Sequence, residues 1–233
     1  VSANTTGVTY LQNGVASTPT ATDPDTDGDG VPNSKEPQLI GDVRLGSGAD
    51  TMDIRNGLVL GDIAFGAGAD SLLVSGGALV RAGLSDSDGN LAISVTGGTL
   101  ETTQTNTLNA SSLNLGANGS LILTLDPESG ATGGINVSGA ANLAATSKLG
   151  VRFSSLLDGP EGFNLITAGT LNATGVNLGS LQENAPYMYV VQGGIDAATN
   201  TVYADARQRT AQEAGLISVE ASMYDAFYRS LGR

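Results

Sequence analysis

Residues 41–60, GDVRLGSGADTMDIRNGLVL, are followed at 61–80 by GDIAFGAGADSLLVSGGALV. Seven of the twenty columns are identical, and others exchange like for like, among them Val43/Ile63, Leu45/Phe65, Met52/Leu72 and Ile54/Val74. A period of this length marks stacked repeats, because one unit cannot bury its own apolar face and needs a neighbour to cover it. Within each unit apolar and polar residues alternate between glycine-rich corners, which is the period of strands rather than of helices. The simplest closed arrangement is all-β: a right-handed parallel β-helix, or β-solenoid, with about 20 residues per coil. Equivalent residues then lie about 4.8 Å apart. Val43 sits under Ile63 and Met52 under Leu72, as an aliphatic ladder inside a polar exterior.

The phase extends outward. Gly97-Gly98-Thr99-Leu100 repeats Gly76-Gly77-Ala78-Leu79 after 21 residues, with Ile93 and Val95 in the positions of Leu72 and Val74. Upstream, Leu11-Gln12-Asn13-Gly14-Val15 matches Ile54-Arg55-Asn56-Gly57-Leu58 at an offset of 43. Val8 to Val15 is therefore expected in the preceding coil, with residues 17–39 looping out. Residues 1–104 read as coils carrying this insertion, 105–205 as a more divergent β region, and 206–233 as a helical tail.

Composition narrows the chemistry. The 233 residues include 33 Gly, six Tyr, four Phe and no Trp, which suits a narrow interior of Val, Ile and Leu. Acidic residues outnumber basic ones 23 to 10, and the Lys and Arg are scattered, so neither nucleic acid nor anionic lipid is an expected partner. With no Cys and no His, the chain forms no disulfide, no thiol nucleophile, no Ser-His pair and no histidine-ligated zinc site. No apolar run is long enough to span a membrane, and the start at Val1 has no signal-peptide pattern, so an interior or processed fragment is expected.

Inside the expected insertion lies Asp25-Thr26-Asp27-Gly28-Asp29-Gly30-Val31-Pro32-Asn33-Ser34-Lys35-Glu36. It satisfies the spacing of a calcium loop: Asp25, Asp27 and Asp29 as monodentate ligands, Gly30 at the sharp turn, the Val31 carbonyl, Asn33 directly or through water, and Glu36 bidentate. Carboxylates this dense repel one another unless a hard cation neutralises them, and Ca2+ is the expected ion. The competing reading is a disordered acidic linker, consistent with the flanking Ser17-Thr18-Pro19-Thr20-Ala21-Thr22. Pro32 and the lack of helical flanks argue against a paired EF-hand. The segment resembles the calcium loops of thrombospondin type 3 and dockerin-like repeats, which implies a structural ion rather than a sensor.

A second acidic feature is the pair Gly46-Ser47-Gly48-Ala49-Asp50 and Gly66-Ala67-Gly68-Ala69-Asp70. It resembles the nonapeptide of RTX calcium β-rolls, although Leu45 and Phe65 replace the first glycine. Stacked Asp50 and Asp70 either share an ion or splay into water while accepting backbone N–H bonds at the corner, and the second reading is preferred.

From about Thr105 the strands diverge but still alternate, as in Leu121, Leu123, Leu125 and in Leu149, Val151, Phe153. After Tyr203 the period changes. Leu216, Val219, Met223, Phe227 and Leu231 recur at three and four, with Ser218 as N-cap, Glu220 in the first turn, Arg229 in the last and Gly232 as the stop. That stripe is expected to cap the last coil or to mediate self-association. Glycine-rich coils, a divergent terminal β region and RQRTAQEAGLISVEASMYDAFYRSLG together resemble the C-terminal part of autotransporter passenger proteins of Gram-negative bacteria, secreted by the type V route. The resemblance implies an autochaperone-like region at 105–205, a pre-barrel helix, and an outer-membrane β-barrel translocator of the same precursor as partner.

Three functions follow as expectations. The first is a non-enzymatic, surface-exposed or secreted stem that supports passenger folding, translocation, presentation or adhesion. The second is a self-assembling extracellular fibre subunit, since the ends of a solenoid expose unpaired strand edges. The third is a calcium-dependent carbohydrate-active β-helix enzyme using Asp42, Asp62 and Arg44 on one face. Few aromatics exist to stack on sugar rings, so that face reads as solvated.

Overall fold

The computed structural model describes residues 5–231, and these are mostly strand in three sheets dominated by parallel pairing. The largest sheet runs Thr9–Gln12, Thr51–Ile54, Ser71–Val74, Ala92–Val95, Ser112–Leu115, Ile135–Leu143 and Glu161–Asn172, each parallel to the next. A second sheet orders Gln38–Ile40, Leu58–Leu60, Leu79–Ala82, Thr99–Thr102, Ser120–Asp126 and Lys148–Phe153 in the same way. A third joins Val43–Arg44, Ile63–Ala64 and Leu84–Ser85. From Thr9 to Thr102 successive strands thus enter different sheets, and each pairs with its counterpart one repeat later.

The register places like on like. Val43 pairs with Ile63, Met52 with Leu72 and Ile54 with Val74, and the next repeat adds Ile93 over Leu72 and Val95 over Val74. The column Met52, Leu72, Ile93, Leu113 and the column Val59, Val80, Leu100, Leu121, Leu149 are fully buried. Each such side chain contributes roughly 1.5–3 kcal/mol of transfer free energy. Glycine is required where corners touch: Gly66 has φ +89°, and a Cβ there would run into the Gly46 carbonyl oxygen.

Two expected alignments shift by one residue. Leu100 pairs with Val80 and Thr99 with Leu79, because the offset contracts from 21 to 20 residues between the two sheets. This keeps Leu100 inside, whereas the spacing read from the Gly-Gly pairs would stack it on the outward Leu79. Upstream, Gln12 rather than Leu11 pairs with Ile54, an offset of 42. Leu11 is 53% exposed and Gln12 only 2%, its amide donating to the Asn56 carbonyl at 2.8 Å. Pleat geometry decides this, since a slip of one residue exchanges the inner and outer faces. Gln38–Ile40 pairs with Leu58–Leu60, so the strand pattern resumes at Gln38.

The far end closes differently. Glu161–Asn172 pairs antiparallel with Thr201–Gln208, which pairs antiparallel with Tyr189–Asp196, while the short helix Ser180–Asn184 packs on Lys148–Phe153. The terminal helix spans Ser218–Leu231. Its expected stripe does not face the protein: Val219, Met223 and Phe227 are exposed, and the helix docks instead through Tyr228. The Tyr228 hydroxyl donates to the Leu157 carbonyl at 2.8 Å and lies 3.0 Å from the Tyr189 hydroxyl, which accepts the Leu157 N–H at 3.3 Å. Tyr189 in turn packs edge-on against Phe153, their ring centres 4.7 Å apart. Tyr228 buries its ring against Tyr189 and satisfies its hydroxyl at the same point. Ser218 is the first helical residue, and the Ile217 N–H is capped by Glu220 Oε2 at 3.0 Å. The expected roles of the Arg229 and Leu231 side chains and of Gly232 lie outside the described residues.

Leu72→Asp should abolish cooperative unfolding through a loss of more than about 4 kcal/mol, whereas Leu73→Asp on the outer face should cost less than about 1 kcal/mol in chemical denaturation. Equal effects would exclude the register. Tyr228→Phe should lower stability by about 1–2 kcal/mol and release the helix to proteolysis, while Phe227→Ser should stay within about 0.5 kcal/mol.

Candidate metal centre

The acidic insertion leaves the largest sheet after Gln12 and returns at Gln38. It is an ordered loop, held by local hydrogen bonds. Thr20 and Asp23 form an antiparallel bridge, the Asn33 N–H donates to the Pro24 carbonyl at 2.9 Å, and Ser34 donates to Asp23 from both its backbone (3.0 Å) and its hydroxyl (2.6 Å). Lys35 Nζ donates to Ser17 Oγ at 2.8 Å and closes the base. Val31 is buried against Gly14, which gives the loop a small apolar anchor.

Asp25, Asp27 and Asp29 each present a carboxylate oxygen within 4.8 Å of the other two. Asp25 accepts the Gly28 and Gly30 N–H groups at 2.7 and 2.9 Å, and Asp29 accepts the Val31 N–H at 2.7 Å. Gly28 and Gly30 have φ of +77° and +90°, which turns the chain back so that these amides reach Asp25. Glu36 ends the short 3-10 turn Asn33–Lys35, and the three aspartates act on its charge. Asn33 Oδ1 accepts from the Thr26 N–H and hydroxyl, both at 3.1 Å, and so stands across the loop from Asp25 and Asp27.

Electrostatics follow the geometry. The Gly30 N–H holds the Asp25 carboxyl below its usual range. Burial, then the hydrogen bond with Asp25 and the charge of Asp29, push Asp27 up. Burial and the three aspartates push Glu36 up. The cluster therefore resists full ionisation by itself, and a hard divalent cation would satisfy it with oxygen ligands.

The loop also docks on the repeats, a contact that the sequence does not reveal. Asn56 Nδ2 donates to Asp29 Oδ2 and to the Gly76 carbonyl, and Asn56 Oδ1 accepts the Gly14 N–H at 2.8 Å. Asp27 lies on Gly77, where any Cβ would collide with its carboxylate. Gly76-Gly77, in the corner of the second repeat, is thus the seat of the acidic loop.

The other charged candidates are occupied by backbone. Asp42 Oδ1 accepts the Asp62 N–H at 3.1 Å, and Asp62 Oδ1 accepts the Gly83 N–H at 3.2 Å. These aspartates stitch consecutive corners, and no ion pair joins either to Arg44 among the described residues. Asp50 and Asp70 do accept backbone N–H groups, but both are buried rather than splayed into water. No described helix is long and apolar enough to cross a membrane.

Comparison with protein-family models, with curated proteins and with solved structures returns no match.

Calcium should raise the melting temperature and protect residues 23–37 from proteolysis, and Glu36→Ala should remove most of that gain. Because Asp27 and Glu36 are held above the ordinary range, protons compete with the ion early. The calcium-dependent gain should be complete at neutral pH and disappear as pH falls into the carboxylate range. Thermal scans with calcium or chelator across pH test this, and a calcium-independent wild type would leave the segment as a plain linker.

Proposed function

We propose that this chain is a right-handed parallel β-helix with a non-enzymatic role: the stem of an autotransporter passenger, displayed or released at the surface of a Gram-negative bacterium. The observation that carries this reading is the difference between the two ends of the stack. At one end the first strands of all three sheets, Thr9–Gln12, Gln38–Ile40 and Val43–Arg44, have among the described residues a parallel neighbour on one side only. At the other, an antiparallel hairpin, a short helix and the Phe153–Tyr189–Tyr228 cluster complete the core. A stack closed at its C-terminal end can grow in one direction only, each coil templating the one before it in sequence.

The resemblance of residues 207–232 to a pre-barrel helix supplies the partner: the outer-membrane β-barrel translocator of the same precursor. The unoccupied Val219, Met223 and Phe227 give that helix an apolar face of its own. The insertion loop, loaded with Ca2+ after export, would lock Gly76-Gly77 and Asn56 of the stem. Stability concentrated at the C-terminal end would pull the chain outward as it folds. The exposed edge strand, with Val8 and Leu11 outward, also supports end-to-end self-association as a second role.

Hydrogen exchange should find amides of residues 135–208 protected longest and those of residues 51–95 released first, and the reverse order would exclude a C-terminal template. In a precursor carrying its natural downstream sequence, antibody should label the chain on intact cells. Deleting 189–208 should abolish that labelling and leave the chain protease-sensitive. Equal labelling of the deletion would exclude the stem role.

A further inference from the structure

One corner of the stack carries charge in a column that the matched repeats fill with apolar side chains, Leu45 and Phe65. Ile63 pairs with Leu84 and Ala64 with Ser85, so the chain brings Asp86 to the column of Phe65, which is fully buried. Leu91 occupies the column of Asp50 and Asp70, with the Ala92 N–H on the Asp70 carbonyl at 2.8 Å. Asp70 is 1% exposed. Buried Asp70 and half-buried Asp86, from adjacent repeats, therefore share this corner, where the charges of Asp50, Asp86 and Asp88 all act on Asp70.

Six of the eight carboxylate oxygens in this group take backbone N–H groups. Asp50 accepts Val8 and Gly46 at 2.6 and 3.1 Å, and Asp88 accepts Gly68 and Asn90 at 2.9 and 3.1 Å. Asp70 Oδ1 accepts Asp50 N–H at 2.7 Å, and Asp86 Oδ2 accepts Leu91 N–H at 3.1 Å. The remaining two, Asp70 Oδ2 and Asp86 Oδ1, are shut off from solvent and have no hydrogen-bond partner. None of the four aspartates has an ion pair with Lys or Arg among the described residues. A buried carboxylate oxygen without a partner is costly, and two in one corner repel each other as well.

We propose that Asp70 Oδ2 and Asp86 Oδ1 bind a hard divalent cation, calcium, at a second site separate from the insertion loop. The backbone donors fix one oxygen of each carboxylate and so hold the other in place, which is how a ligand is preorganised. Burial raises both carboxyl groups above their usual range, Asp70 with help from the charges of Asp50, Asp86 and Asp88. By themselves the two carboxylates therefore weaken the fold as pH rises through the carboxylate range, and a bound ion removes that loss. The site ties the second of the two matched repeats to the third, at the point where the glycine-rich corner gives way to Asp86-Ser87-Asp88-Gly89-Asn90.

The full-length chain with D25N and E36Q, which disables the insertion loop, separates the two sites. In that background calcium should still raise the melting temperature over chelator, and equilibrium dialysis should find one ion per chain. Adding D70N or D86N, each isosteric and able to keep its backbone bond, should abolish both responses. Manganese should broaden the amide signals of Asp50 and Leu91 first, which locates the ion without a corner variant. A D25N/E36Q chain that binds no calcium overturns the proposal. So does manganese broadening elsewhere. So does a D86N chain that melts higher than its parent equally in chelator and in calcium, since a shared proton would then neutralise the pair.

Discussion

Parallel, in-register pairing at about 4.8 Å makes every inward position a column rather than a site. A residue is acceptable only if it stacks on the residues above and below it in the same column. Met52, Leu72, Ile93 and Leu113 satisfy this with aliphatic side chains of similar volume, and nothing polar has to be solvated. The same constraint forces glycine at corners where successive backbones touch, as at Gly66 over Gly46. It also explains why a fold with few aromatic residues has a dry core. The columns are narrow, and large rings cluster only where the stacking stops.

Where a column holds a polar residue, backbone supplies its partners. Gln12 ends the Met52-side sheet by donating to the Asn56 carbonyl, and Asp42, Asp50, Asp62 and Asp88 accept amides of the neighbouring repeat. The bond from Asp42 to the Asp62 amide recurs one repeat later from Asp62 to the Gly83 amide, because the repeat offers the same amide at that corner. Asp70 and Asp86 depart from that pattern, each satisfying one oxygen and leaving the other buried. The insertion loop is fixed in a related way, through Asn56 and the Gly76-Gly77 corner, so one strand junction serves both stack and loop.

The end of the stack needs different chemistry, because the last parallel strand has no successor to cover it. Antiparallel pairing of Glu161–Asn172 with Thr201–Gln208 fills the edge, and Phe153, Tyr189 and Tyr228 fill the space that the next column would have taken. Tyrosine suits that place. It brings a large apolar ring together with a hydroxyl for the Leu157 carbonyl and amide, which no later strand engages.

The repeat itself determined the parallel pairing and the columns around residues 41–80, because identity at a fixed period can be satisfied only by stacking each residue on its own counterpart. The spacing of Asp25, Asp27 and Asp29 likewise determined that three carboxylates would meet, since a Gly-turned loop of that length has little freedom. Only the tertiary structure decided the rest. Slips of one residue at Leu11/Gln12 and at Leu79/Val80 depend on the length of intervening corners, and corner glycines look alike in sequence whichever register they serve. The burial of Asp70 and the inward turn of Asp86 depend on what stands in the adjacent repeat. The choice of Tyr228 over Val219, Met223 and Phe227 as the docking face depends on a carbonyl seventy-one residues away. Helical periodicity reports which side chains are apolar, whereas docking follows the ring and hydroxyl that the end of the stack accommodates, those of Tyr228.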